Sequence, residues 1–208
     1  MARSGAGASP STRDTILEVV GPLFAERGYA GVSMRDIAAA AGLRNQASLY
    51  HHFPSKRALY EAVLAHELAP VLTLVARAPD AGPSAALADE LIRHLAGHPH
   101  LPRLIQRLGI DDRRHLPRAI PDLLRPLYQQ GRALLEDADT GWAPADLPHL
   151  SLALYLLIFG WFANAPLVES VLAIDPADAA AVRRQRAFVR EAVTRLLGGT
   201  RSRPTGPQ

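Results

Sequence analysis

Apolar residues recur along this chain of 208 residues at the spacing of helices. Ile16, Leu17, Val20, Leu23 and Phe24 follow i, i+1, i+4, i+7 and i+8, one face of a helix. Thr12 can cap that helix, and Gly28 can end it in the left-handed conformation. Pro22 removes the hydrogen bond to the carbonyl of Glu18, which predicts a kink or a displaced first turn. Met34, Ile37, Ala38 and Ala41 make a short second helix, capped by Ser33 and closed by Gly42. A third runs from about Asn45 to Phe53, where Pro54-Ser55 breaks it. Ser55 caps a fourth helix holding Leu59, Val63 and Leu64, and Pro70 is expected to kink or end it.

The pattern continues past Pro79. Leu87, Leu91, Ile92 and Leu95 form a helix stopped by Gly97, and Leu101, Leu104, Ile105 and Leu108 form one stopped by Gly109. The stretch from Leu116 to Leu134 carries Pro117, Pro121 and Pro126, so it is not one straight helix. Leu147 to about Asn164 is apolar nearly all round. Asp175-Pro176 reads as the start of a last helix with Val182, Val189, Val193, Leu196 and Leu197. No alternating strand pattern occurs, so the fold class is all-α.

Composition narrows this picture. Cysteine is absent, which excludes disulfides, thiolate metal sites and cysteine nucleophiles. The start, MARSGAGASPS, has no apolar leader, and a cytoplasmic location is expected. The run Leu150 to Ala163 falls short of the roughly 20 residues of a membrane span and reads as a buried helix, not a membrane segment. Within residues 1–60, Arg3, Arg13, Arg27, Arg35, Arg44, Lys56 and Arg57 outnumber Asp14, Glu18, Glu26 and Asp36 by three. That is the whole of the net charge of +3, as in a nucleic-acid-binding head on a neutral body.

Candidate chemistry concentrates between Ser33 and Phe53. Two short helices meet there at a glycine turn, and the run Ala38 to Ala41 lets them approach closely. In a helix-turn-helix the second helix enters the major groove, and side chains at its start hydrogen-bond base edges. Arg44, Asn45, Gln46 and Ser48 have the required donors and acceptors. Tyr50, His51 and Lys56, further on, suit phosphates. From these residues alone the segment reads either as a DNA-reading unit or as a plain helical hairpin with a polar face.

Longer matches favour the first. Thr12 to Leu64 resembles the N-terminal domain of tetracycline-repressor (TetR) family transcription regulators. The matching pieces are Ile16-Leu17, Leu23 to Tyr29, Asp36-Ile37-Ala38, Ala41-Gly42, Leu49 to Phe53 and Ser55-Lys56. The resemblance implies a three-helix helix-turn-helix domain followed by a larger helical ligand-binding and dimerisation domain. It implies a homodimer on double-stranded DNA with a palindromic operator, and a repressor released by a small-molecule inducer. An alternative body only dimerises or docks a protein partner. By resemblance, Asn45, Gln46, Ala47 and Ser48 start the recognition helix, and Tyr50, His51 and Lys56 contact the backbone. Ser33 caps a helix near a phosphate, and Arg35 either touches phosphate or pairs with Asp36 or Glu26. Arg3 and Arg13 are read as a solvated arm. One residue more than the family pattern separates the turn glycine from the tyrosine, which leaves the base-contacting register open by one among Arg44, Asn45 and Gln46. The expected division is an arm at 1–11, a DNA-binding head at 12–57, a body at 58–197 and a flexible tail at 198–208.

In the body, Tyr155, Phe159, Trp161, Phe162, Phe188 and Val189 suit a dimer interface, with an internal core as the alternative. Leu104, Leu108, Leu127 and Tyr128, with Arg107 and His115, suit an apolar ligand pocket with polar anchors. His94, His98 and His100 are clustered, but Gly97 and Pro99 interrupt the helical face they would need. No metal, cofactor or catalytic residue is expected, and the protein is read as a non-enzyme.

Overall fold

The computed structural model describes residues 11–78, 83–110 and 120–198, and these are helices and their connections. Helix α1 spans Thr12–Arg27. Its cap is Ser11, one residue before the expected Thr12, with the Ser11 hydroxyl accepting from the Asp14 amide at 3.2 Å. Pro22 does not break α1. The carbonyl it deprives belongs to exposed Glu18, where water can serve it. Helix α2 spans Met34–Ala40 and α3 only Ala47–Tyr50, a single turn where Asn45 to Phe53 was expected. Between them Gly42 takes φ +66°, the left-handed conformation that lets its amide and that of Leu43 reach back to Ala39 and Ala38.

Helix α4, Lys56–Ala76, starts where the Ser55 hydroxyl accepts from the Ala58 amide at 3.1 Å. It continues past Pro70, which is exposed, so it does not end there. Helices α5 (Ala85–Gly97) and α6 (His100–Ile110) follow as a pair. The proline-rich stretch resolves into a five-residue π-helical turn, Ile120–Leu124, leading into α7, Arg125–Glu136. A 3₁₀ turn at Pro144–Asp146 leads into α8, Leu147–Ala163. With that turn the apolar run reaches 20 residues, so length alone does not exclude a span.

Helix α8 ends at Asn164, as the sequence predicts, and the same residue starts α9, Ala165–Leu172, with Pro166 in the first turn, where its missing N–H costs nothing. Helix α10, Ala179–Gly198, begins later than Pro176. Its first amides are taken by Asp178, whose carboxylate accepts from Ala180 at 2.8 Å and Ala181 at 3.2 Å.

Two cores divide the chain. The first joins α1 to α4 around Phe24, Ile37, Leu49, Phe53 and Tyr60, and takes in Leu104 and Leu108 from α6. The second joins α4, α5, α6, α8 and α10 around Leu68, Ile92, Leu101, Phe162 and Val189. Helix α4 belongs to both, passing from the first to the second between Leu64 and Leu68. The head's packing therefore continues past residue 57, the expected boundary.

Candidate functional site

The head presents a polar face over a closed core. Leu49 is fully buried and anchors α3, while Arg44, Asn45, Gln46, Ala47, Tyr50 and His51 around it are exposed and Ser48 is half-buried. Tyr50 leaves 49% of its surface to solvent. Asn45 has a structural job: its side-chain oxygen accepts from the Ser48 amide at 3.1 Å and the Ser48 hydroxyl at 3.3 Å, capping the one-turn α3.

Helix α2 is fixed by a reciprocal cap. The Ser33 hydroxyl accepts from the Asp36 amide at 3.1 Å, and the Asp36 carboxylate accepts from the Ser33 amide at 2.8 Å and from the Ser33 hydroxyl. These bonds from Ser33 hold the Asp36 carboxyl below the ordinary range. The Ser33 hydroxyl proton is thus already committed to Asp36. Arg35 is exposed and makes no ion pair with either Asp36 or Glu26 among the described residues.

Aromatic packing carries two cations to the edge of this face. Phe24 meets Tyr60 edge-on at 4.6 Å, Tyr60 meets Tyr29 at 5.6 Å, and the Lys56 ammonium lies 4.4 Å above the Tyr29 ring. Arg13 stacks its guanidinium 4.9 Å above the Phe53 ring, beside the end of the α3 segment. Sequence reasoning left Arg13 in a solvated arm. The missed signal is that Arg13 lies in the first turn of α1, three and four residues before buried Ile16 and Leu17 and so on their face of the helix.

The head is tied to the body through α6. Arg107 donates to the carbonyls of Ala25 at 2.7 Å and Glu26 at 2.6 Å, closing the C-terminal end of α1. His100 lies 3.0 Å from the buried carboxylate of Glu67 on α4. Glu67 presses on Gly21 of α1, where an added Cβ would come within 2.6 Å of its oxygen. Among the described residues no three of His, Cys, Asp and Glu gather as a metal site. His94 and His98 stack at 4.3 Å, and burial beside a second imidazole holds the His94 pKa below its ordinary value.

A cavity of about 480 Å³ lies in the body among α4, α5, α6, α7 and α8. Leu127 and Tyr128 line it, as expected. Leu104 and Leu108 do not: both are fully buried in the head's core, because the apolar stripe of α6 turns toward α1 at those positions. Arg107 faces α1 rather than this cavity, and His115 lies outside the described residues. Val71, Ile105, Leu134 and Phe159 also line it, although the sequence points Phe159 to a dimer interface or an internal core.

The dimer candidates also divide. Phe159 and Phe162 of α8 and Val189 of α10 are buried within the single chain, in the core they share with α4, α5 and α6. Trp161 is half-buried and donates to the Pro176 carbonyl at 3.2 Å, and Tyr155 stacks on Phe159 at 5.0 Å. Phe188 is 60% exposed and remains available to a partner. Leu152 and Leu156 on α8, and Leu167 and Val171 on α9, are also exposed, at i, i+4 spacing on each helix. The sequence hid them because α8 is apolar on every side.

Comparison with known proteins agrees with this geometry. Residues 16–63 match the family described as bacterial regulatory proteins, tetR family. The HTH-type transcriptional repressor KstR2 of Mycolicibacterium smegmatis is 46% identical over 54 residues, 26% of each chain, so the alignment spans about a quarter of that relative. The HTH-type transcriptional repressor Rv3405c of Mycobacterium tuberculosis is 34% identical over 190 residues, covering 88% of this chain and 87% of that protein. In fold, the transcriptional regulator FadR from Bacillus subtilis in complex with stearoyl-CoA is similar with a TM-score of 0.66 at 15% identity, over 89% of this chain and 97% of that one.

Proposed function

We propose that this chain, which belongs to the tetR family of bacterial regulatory proteins, is a homodimeric transcription repressor that a small molecule releases from DNA. As a member of that family it is a sequence-specific DNA-binding transcription regulator, working in the cytoplasm where the DNA is. The observation that carries the reading is the exposed row Arg44, Gln46, Ala47, Tyr50 and His51 held rigidly over buried Leu49, with Lys56 and Arg13 seated at its rim.

The chemistry of the turn favours one reader within the open register. Asn45 spends its oxygen on the α3 cap, so Gln46, with both amide groups available, is the base reader, aided by Arg44. Tyr50, His51, Lys56, Arg35 and Arg13 hold phosphates, which gives affinity that falls with salt. Ser33 acts through its capped helix end rather than through its hydroxyl proton. The functional division keeps a DNA-binding head at 12–57 and a ligand and dimer body at 58–197, joined by α4.

The second copy docks on the α8–α9–α10 face through Leu152, Leu156, Leu167, Val171 and Phe188. Leaving five large apolar side chains in water is otherwise unfavourable. The body cavity, apolar and roomy enough for a drug-sized molecule, takes the inducer. The fold it shares with a regulator solved with stearoyl-CoA supports a ligand in this domain. No catalytic role is assigned.

Selection of bound duplexes from a random pool tests this directly. Inverted half-sites about 10–10.5 base pairs apart, or a multiple of that, are expected, with a dimer in sedimentation. A monomer that retains no duplex at low salt overturns the reading.

A further inference from the structure

We infer that the molecule sensed by the body is an amphiphile, an apolar chain ending in a carboxylate or phosphate. The inference rests on the proposal that the body cavity holds the inducer. The observation is that the cavity of about 480 Å³ has a polar neighbour of about 440 Å³, and the two share Gln106 and Ile110 as a common wall. Among its described lining residues the first carries no charged side chain. Its side-chain polar atoms come from Gln106, Tyr128, Ser151 and Tyr155 alone. The second is lined by Arg103 and Arg107, with Glu26 as its one carboxylate and Gln106 and Asn164 as neutral partners.

Arg103 is exposed and makes no ion pair among the described residues, and Gln106 donates to Asn164 at 3.3 Å, a long bond that is readily exchanged. Ile110, at the shared wall, is 71% exposed, so little packing closes the passage between the two spaces. A ligand that fills the apolar cavity can therefore extend an anionic end past Gln106 to Arg103. Arginine suits such an end because its fork matches carboxylate and phosphate oxygens in pairs.

The same placement links ligand to head. Arg107 lines the polar cavity while donating to the carbonyls of Ala25 and Glu26. A carboxylate or phosphate is a stronger acceptor for a guanidinium than a neutral carbonyl. The anionic end therefore competes with α1 for Arg107 and loosens the tie between head and body.

Decanol, decanoate, decanoyl coenzyme A and coenzyme A alone, all below their micelle concentrations, test this on the full-length protein by calorimetry. Decanoate is expected to bind about tenfold tighter than decanol, the worth of roughly one charge-assisted hydrogen bond. In Arg103→Ala that advantage shrinks below about threefold, while decanol binds as before; surface alanine at an exposed site leaves the fold intact. Gly131→Phe, which projects a ring into open space in the apolar cavity, weakens all the chained probes together. Decanoyl coenzyme A binding tighter than decanoate, with coenzyme A alone silent, places the anion on the carrier's phosphates; the reverse order places it on a free carboxylate, and both support the inference. Decanoate, and not decanol, should lower affinity for the selected duplex; equal effects of the two overturn the competition for Arg107. Decanol binding as tightly as decanoate, or an advantage unchanged in Arg103→Ala, overturns the anionic end and leaves the inducer cavity standing. Failure of every chained probe to bind overturns the cavity reading and the inference with it.

Discussion

The head and the body solve opposite packing problems. In the head, four helices close on Phe24, Leu49, Phe53 and Tyr60, each almost fully buried, and polar side chains cover the face left over. The body has more apolar surface than one chain can bury. It encloses a cavity of about 480 Å³ and leaves Leu156, Leu167, Val171 and Phe188 mostly in water. The head's surplus is of hydrogen-bonding groups on a rigid mount, which suits a polar partner of fixed shape. The body's surplus is of apolar area, which suits a second copy and a deformable ligand.

The sharpest way to break this comparison is to cut both regions by the same chemistry. Phe24→Ala removes a ring that packs edge-on to Tyr60 in a core without slack, and is expected to cost about 3–5 kcal/mol in denaturant unfolding. Leu127→Ala enlarges a space that already exists and should cost less than half of that. Equal losses would mean that the body is packed as tightly as the head.

The body's apolar surface gives the next largest effect. Leu156→Glu places a charge where the partner's apolar side chains are proposed to sit, and burying it unpaired costs several kcal/mol. The dimer dissociation constant should rise at least about a hundredfold by sedimentation, with helical content unchanged, because Leu156 is exposed in the single chain. An intact dimer would move the interface off α8.

On the head, effects are smaller and of two kinds. Gln46→Ala should cost about 1–3 kcal/mol at one base position and relax the preference there. Lys56→Ala should weaken all duplexes alike and lower the salt slope by about 1. A Lys56→Ala protein with a new base preference would contradict its role at the rim.

How far the sequence reveals each region follows from the same contrast. In the head, helical periodicity with Ser33, Gly42 and Ser55 locates the starts of α2 and α4 and the turn between α2 and α3, because caps and glycine turns are local. What stayed hidden there was the choice among Arg44, Asn45 and Gln46, on which the bond from Ser48 to Asn45 bears by occupying the Asn45 oxygen. In the body, Leu104 and Leu108 look like cavity lining, and Phe159, Phe162 and Val189 look like an outer face, although all five are packed inside. Periodicity says that a helix has an apolar side; it does not say which of several neighbours that side meets. Where a helix is apolar all round, as α8 is, it does not mark a side at all. Proline does not end either helix: Pro22 and Pro70 both lie inside continuous helices, on exposed positions.

The smallest effect concerns how the body's two outer helices are fastened. Asp89 on α5 accepts from Arg186 on α10 through both oxygens, at 2.8 and 2.7 Å, with Arg93 and Arg190 close by. The Arg186 bonds, acting against desolvation, draw the Asp89 pKa down to about 2, from an ordinary 3.8. A carboxyl whose pKa is lower in the folded chain binds its proton more readily when unfolded. Its contribution is therefore complete above about pH 4 and disappears as the pH falls through about 2. Water reaches the pair, Arg186 being 30% exposed, so the contribution is discounted to about 1–2 kcal/mol. Asp89→Asn should remove that stability at pH 7 and flatten the acid limb of the unfolding curve between about pH 4 and 2. In the head, Asp36 is also shifted down, by Ser33, but it belongs to a local cap rather than to a tie between distant helices. Asp36→Asn should therefore fray α2 in hydrogen exchange without moving the global acid transition. If both variants shift that transition alike, the head and body are one cooperative unit, and α4 carries stability as well as position between them.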